Sequence, residues 1–367
     1  MMKLPHLVSL LLLSMFMLVS CSNDDDVLDM DEGQEEQEQE APADFKYDEG
    51  FLISNEGPFN NGFGSVSYVS SDLNTLTNDI FQAENMSDNL GNIVNSIGFT
   101  DNQAYVVSNV SNRITVVDRF SFVETGRISS GLENPRYFVA LNGKGYVTNW
   151  GDPLVETDDY IAVIDLRTLN VDATIPVGLG PEKIVYDGNQ LYVAHKGGFG
   201  TNNIVTVINP TDDTVVTTIA VGDVPESMAL DSQGNLWVLS SGKPAFTMEE
   251  TGGRIQRINT ASNTVVFSSE FDTTSHPSYL NIDNDQLYFF LDGGVYVGNA
   301  LDYLVPTTAQ LDVGFYYNMA VINGKLFGCN AGDFSGAGTL EVYDLATNAL
   351  EAILNVGVVP GNVYLNQ

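Results

Sequence analysis

The chain has 367 residues, with 48 Asp+Glu against 14 Lys+Arg and a formal charge of −34. So acidic a chain has no Lys/Arg surplus with which to displace counterions from a phosphate backbone, and nucleic acid is excluded as a partner. At 43% apolar residues the bulk is globular, while two cysteines exclude a disulfide framework and three histidines leave little for a His-rich metal site.

Residues 1–20 read as a secretory leader: Lys3 and His6 precede an apolar run over 7–19, too short for a stable bilayer anchor. The run ends Leu18-Val19-Ser20-Cys21, which resembles a bacterial lipobox. Cys21 is therefore expected to be acylated, and several acyl chains hold a protein firmly on a membrane. Residues 21–46 read as an acidic disordered tether, for residues 22–50 hold 13 carboxylates and one Lys. About 25 such residues reach roughly 25–30 Å. The segment Ser22-Asn23-Asp24-Asp25-Asp26 resembles the address of surface-exported lipoproteins of the Bacteroidota. That resemblance implies an outer-membrane, lipid-anchored protein facing the cell exterior.

From residue 47 the sequence repeats itself. An apolar–aromatic–apolar triplet recurs as Ala104-Tyr105-Val106, Gly145-Tyr146-Val147, Leu191-Tyr192-Val193, Leu236-Trp237-Val238, Leu287-Tyr288-Phe289 and Leu326-Phe327-Gly328. The aromatic spacings are 41, 46, 45, 51 and 39 residues, and Phe51-Leu52-Ile53 fits as a first, truncated copy. Turn pairs such as Asn142-Gly143 and Asn323-Gly324 precede the triplet and suit two-residue hairpins. An alternating strand follows, as in Ile161-Ala162-Val163-Ile164-Asp165, and then a fourth strand ending in Val-Gly. A proline opens the next copy at Pro135, Pro181, Pro225, Pro277 and Pro360.

Four short strands per copy of about 45 residues is the length of a β-propeller blade. The expected fold is all-β: one seven-bladed β-propeller of four-stranded blades over residues 47–367, without substantial helices. The first copy lacks its opening strand and residues 360–367 supply a spare one, so the C-terminal strand should pair into blade one and close the ring. Tyr146-Val147-Thr148-Asn149 resembles the repeat of the YVTN/YncE-like propellers, and the resemblance covers roughly residues 47–367.

In a propeller the loops between second and third strands, and those between blades, share one face around the central channel. The former span residues 55–64, 149–159, 195–203, 240–253 and 330–338, and carry Phe59, Phe63, Trp150, His195, Phe199, Phe246 and Phe334. Arg136, Tyr137, Lys183, Tyr279, Tyr316 and Tyr317 stand where blades open. Aromatic groups in glycine-rich polar loops suit a large ligand with apolar faces and hydrogen-bonding rims. Each ring also has a local reading, as a plug for its own loop.

Chemistry is sparse. His195 and His276 lie in different blades, no Cys/His cluster has zinc spacing, and no G-x-S-x-G elbow occurs. Asp158-Asp159 and Asp283-Asn284-Asp285 match no dedicated calcium loop, and Cys329 reads as a buried small side chain. The expectation is a non-enzymatic protein without metal or cofactor. The acidic address, tether and single YVTN-type propeller together resemble the cobalamin-capturing surface propellers of the Bacteroidota. That resemblance implies capture of cobalamin on the loop face and transfer to a TonB-dependent outer-membrane transporter. The alternatives are a cell-envelope adhesion or interaction scaffold, and an enzyme of the lactonase or quinoprotein-like kind.

Overall fold

The computed structural model describes residues 45–367, apart from residues 60, 61 and 303; the leader, Cys21 and the tether up to residue 44 lie outside the described residues. Seven four-stranded antiparallel sheets follow one another along the chain. Their innermost strands are Val94–Phe99, Pro135–Leu141, Pro181–Tyr186, Pro225–Leu230, Ser278–Asp283, Asn318–Ile322 and, for blade one, the C-terminal Pro360–Asn366. That last strand pairs antiparallel with Gly50–Asn55, register Leu52↔Tyr364. The ring is closed by hydrogen bonds between the two ends of the propeller, as the spare strand predicts.

The repeated triplet builds the interior. Tyr105, Tyr146, Tyr192, Trp237, Tyr288 and Phe327 are all buried. Because side chains alternate along a strand, each aromatic packs towards the next blade while the residue after it packs towards the previous one. Seven apolar clusters result, one at each blade junction. Copy one differs: Leu52 holds the place of the repeated aromatic, and Phe51 points the other way, its ring tilted against Phe327 of blade seven with centroids 4.5 Å apart. The first and last copies are thus joined by rings as well as by backbone.

Hairpin chemistry follows the turn pairs. Asn142 and Gly143, and Asn323 and Gly324, all have positive φ, as a two-residue turn matched to strand twist requires. Asn284 and Asp285 form another such turn. Asp285 accepts hydrogen bonds from the Ser232 amide and hydroxyl of the neighbouring blade, so the Asp283-Asn284-Asp285 run serves blade docking. The strand pattern leaves little helix: Ile80–Glu84 forms one short helix, inserted after the two-residue outer strand of blade one, with Ile80 and Phe81 in the core.

Candidate functional site

The inner strands do not keep a regular pleat at the top of the channel. In six of the seven, the register with the second strand breaks within the first few residues, as between Pro135 and Phe138 or Pro181 and Ile184. A bulge sets two residues against one and re-aims side chains. The residues it frees, including Asn95, Arg136, Tyr137, Glu182, Lys183, Glu226 and Tyr279, line a central cavity of about 450 Å³.

A second tier comes from the first residue after each second strand. The amides of Glu56, Asn109, Trp150 and Ser241 donate to the carbonyls of Val359, Ile93, Asn134 and Val224, just before the inner strands. All four acceptor residues have φ between 49° and 58°, a left-handed conformation that is costly for Ile and Val. The four hydrogen bonds hold the second-strand ends against the channel mouth. Lys196 occupies the same place in its blade and also lines the cavity.

Polar contacts inside are dense. Arg136 holds Glu182 bidentately, Nε to Oε2 and Nη2 to Oε1, both at 2.9 Å, and its guanidinium lies 4.2 Å from the Trp150 ring. Burial opposes both charges, yet each partner outweighs it: the guanidinium is held above its ordinary value and the carboxyl below. The Tyr317 hydroxyl donates to both Glu56 oxygens at 3.1 Å. Burial raises the Glu56 carboxyl, against the Tyr317 bond and the Arg136 charge. Glu226 Oε1 accepts from the Tyr279 amide at 2.6 Å and the Ser227 hydroxyl at 3.0 Å. The Lys183 ammonium sits 4.0 Å from the Tyr137 ring, and burial depresses its pKa.

Aromatic rings continue upward from this floor. Phe199 meets Trp150 edge-on at 5.7 Å and Phe334 meets Tyr317 edge-on at 5.5 Å. Phe59, Phe199 and Phe246 are 76%, 74% and 85% exposed, and Phe63, Phe315 and Phe334 are exposed as well. Of the exposed phenylalanines among the described residues, only Phe45 lies off this face.

The structure thus brings Arg136, Tyr137, Lys183, Tyr279 and Tyr317 to one cavity and stacks Trp150, Phe199 and Phe334 above it. Phe59 and Phe246 stand on the same face without a ring partner among the described residues. Three expected residues go elsewhere. His195 is fully buried, with Nδ1 2.9 Å from Gly178 O and Nε2 2.8 Å from Thr206 Oγ1; burial lowers its pKa to about 4. Tyr316 is core, its hydroxyl on Glu341 and its ring filling the space a side chain at Gly328 would need. Phe63 lines a separate groove with Asn78 and Val356.

The residues missed include Glu56, Asn95, Glu182, Glu226, Asn318 and Asn362. Position carries the signal: Glu182 and Glu226 each follow a blade-opening proline, and Glu56 sits one place beyond the second strand. The motif Tyr146-Val147-Thr148-Asn149 supports the site without lining it. Tyr146 OH donates to Asp213 of the next blade, and Thr148 Oγ1 accepts from Tyr137 N while donating to Glu182 O.

Comparison with curated proteins found no match. Among solved structures, a quinonprotein alcohol dehydrogenase-like protein from Bacteroides thetaiotaomicron superposes with a TM-score of 0.64 at 15% identity, covering 88% of this chain and 79% of that one. The periplasmic gluconolactonase of Pseudomonas aeruginosa gives 0.62 at 11%, covering 86% and 98%. Kuenenia stuttgartiensis hydrazine synthase gives 0.58 at 17%, covering 72% and 87%. At these identities the likeness is one of fold. It overturns the expectation of a non-enzymatic protein: the fold is shared with chains named as enzymes, so lack of a familiar catalytic motif is no ground for excluding catalysis. Residues 49–327 match the family described as Domain of unknown function (DUF5074), and the chain belongs to it.

Proposed function

We propose that the protein captures a large ligand across the channel mouth, with the ligand's apolar face on the aromatic rim and its polar edge on the charged floor. The observation that carries this reading is the segregation of rings. Phe59, Phe199, Phe246, Phe315 and Phe334 are all exposed in loops of this face, Phe199 against Trp150 and Phe334 against Tyr317. Exposed apolar surface rimmed by polar groups marks binding sites. A corrinoid has an apolar macrocycle and a rim of amides, and cobalamin is the first ligand to try.

The chain enters the propeller on the opposite face: Tyr47 N donates to Phe120 O, in a turn between third and fourth strands, and Tyr47 O accepts from Asn366 Nδ2. With Cys21 acylated, the propeller would be held at the outer membrane by its acidic tether. In that setting a TonB-dependent transporter is the recipient we propose.

Titration of the protein with cyanocobalamin, followed by absorbance and calorimetry, tests the ligand. Saturable binding that weakens in Trp150→Ala and Tyr279→Ala is expected; no binding at micromolar protein sinks the corrinoid assignment.

A second reading is favoured by Glu56. A half-buried carboxyl with a raised pKa, bonded to Tyr317 beside Arg136, has the character of a general acid or base. Binding and turnover are compatible in one cavity. Assay against sugar lactones, comparing wild type with Glu56→Gln, decides it: turnover lost in the variant supports the reading, and no turnover in wild type ends it.

A further inference from the structure

The six ionic side chains of the cavity are Glu56, Glu182 and Glu226 against Arg136, Lys183 and Lys196. They balance in number but not in bonding. Glu182 is saturated by Arg136, and Glu56 and Glu226 are bonded by Tyr317, Tyr279 and Ser227. Both lysines lack an ion pair among the described residues. Lys183 Nζ has one acceptor, Asn362 Oδ1 at a long 3.5 Å, and that oxygen already accepts from Asn318 at 3.0 Å. An ammonium has three donors and no acceptor, so each lysine holds unspent donors towards the cavity. In a protein this acidic the two stand out as cations kept for something other than internal pairing.

Both belong to blade four. Lys183 is freed by the inner-strand bulge, and Lys196 follows the end of the second strand. We propose that this side of the channel binds an oxyanion, a carboxylate or phosphate carried by the ligand, with Lys183 supplying charge within the channel and Lys196 charge at its mouth. The assignment rests on the channel mouth being the ligand site and narrows the ligand to one bearing an anionic group.

The experiment is calorimetric titration of the full chain with inorganic phosphate and, separately, with acetate, at constant ionic strength, in parallel with tryptophan emission. Wild type should bind at least one of them saturably, and which one identifies the oxyanion. Lys183→Met should weaken binding about tenfold or more, as loss of a charge-assisted hydrogen bond does. Lys196→Met should weaken it too, with recovery in Lys196→Arg. Arg167→Met, at an exposed arginine on the opposite face, should bind as wild type does. No saturable binding of either anion, or wild-type affinity in both lysine variants, overturns the proposal. Should Lys183→Met fail to fold, the Lys196 pair decides alone. Phosphate or acetate binding without cyanocobalamin binding sinks only the corrinoid assignment, and the converse sinks only the oxyanion site.

Discussion

Replacing Glu182 by Gln preserves the shape of the side chain and removes the charge that Arg136 faces. The pair is bidentate at 2.9 Å on both arms, with side chains 16% and 5% exposed. Breaking a fully buried pair costs about 3–5 kcal/mol, because a desolvated charge is left without its partner. The channel admits water and Gln retains one acceptor, which brings the expected cost to about 2–3 kcal/mol. For a domain of this size that lowers the melting temperature by about 4 °C. Thermal melting of the full chain by near-ultraviolet circular dichroism measures it. The double variant Arg136→Met/Glu182→Leu should melt closer to wild type than Glu182→Gln does, since replacing both charges removes the orphan. A Glu182→Gln protein that melts within about 1 °C of wild type would refute the claim that this pair organises the mouth.

Asp159 is buried, bonds the Gly180 amide through Oδ2 and leaves Oδ1 without a partner; burial raises its pKa from 3.8 to about 6. A carboxyl raised on folding binds more protons in the native state between those values, so its contribution falls as pH rises from about 4 to 6, by up to about 3 kcal/mol. Asp159→Asn should flatten that part of the stability–pH curve and raise stability at pH 8; an unchanged curve contradicts the assignment. Asp231→Asn should destabilise by about 3 kcal/mol, measured by urea unfolding, because Arg257 is buried against it at 2.6 Å beneath Trp237. Thr148→Val should cost about 1–3 kcal/mol in the same assay, leaving Tyr137 N and Glu182 O without their shared partner.

The blades and the non-covalent closure were legible because they depend on patterns the sequence writes plainly: period-2 alternation, a buried aromatic per copy, prolines at blade openings. The site was only partly legible, for a reason of register. Bulges at the tops of six inner strands break the alternation that assigns side chains to faces, so Glu182 and Lys183, adjacent in sequence, both reach the channel. His195 failed by a single place. The last residue of the second strand turns into the blade-to-blade crossing, as His195 does on Gly178 O and Asn149 does on Glu133 N, and the next residue reaches the mouth. That next residue is Lys196 in blade four, Trp150 in blade three and Glu56 in blade one. Tyr316 and Tyr317 show the same sensitivity, one in the core on Glu341 and the other in the cavity on Glu56.

The central claim is that the aromatic-rimmed mouth is where this protein meets its ligand, and a crystal structure of the protein with cyanocobalamin tests it most directly. The account predicts the corrin ring lying across Trp150, Phe199, Tyr317 and Phe334 with its polar edge over Arg136 and Lys183. A ligand seated on the opposite face, or along the outer strands of a blade, would contradict it.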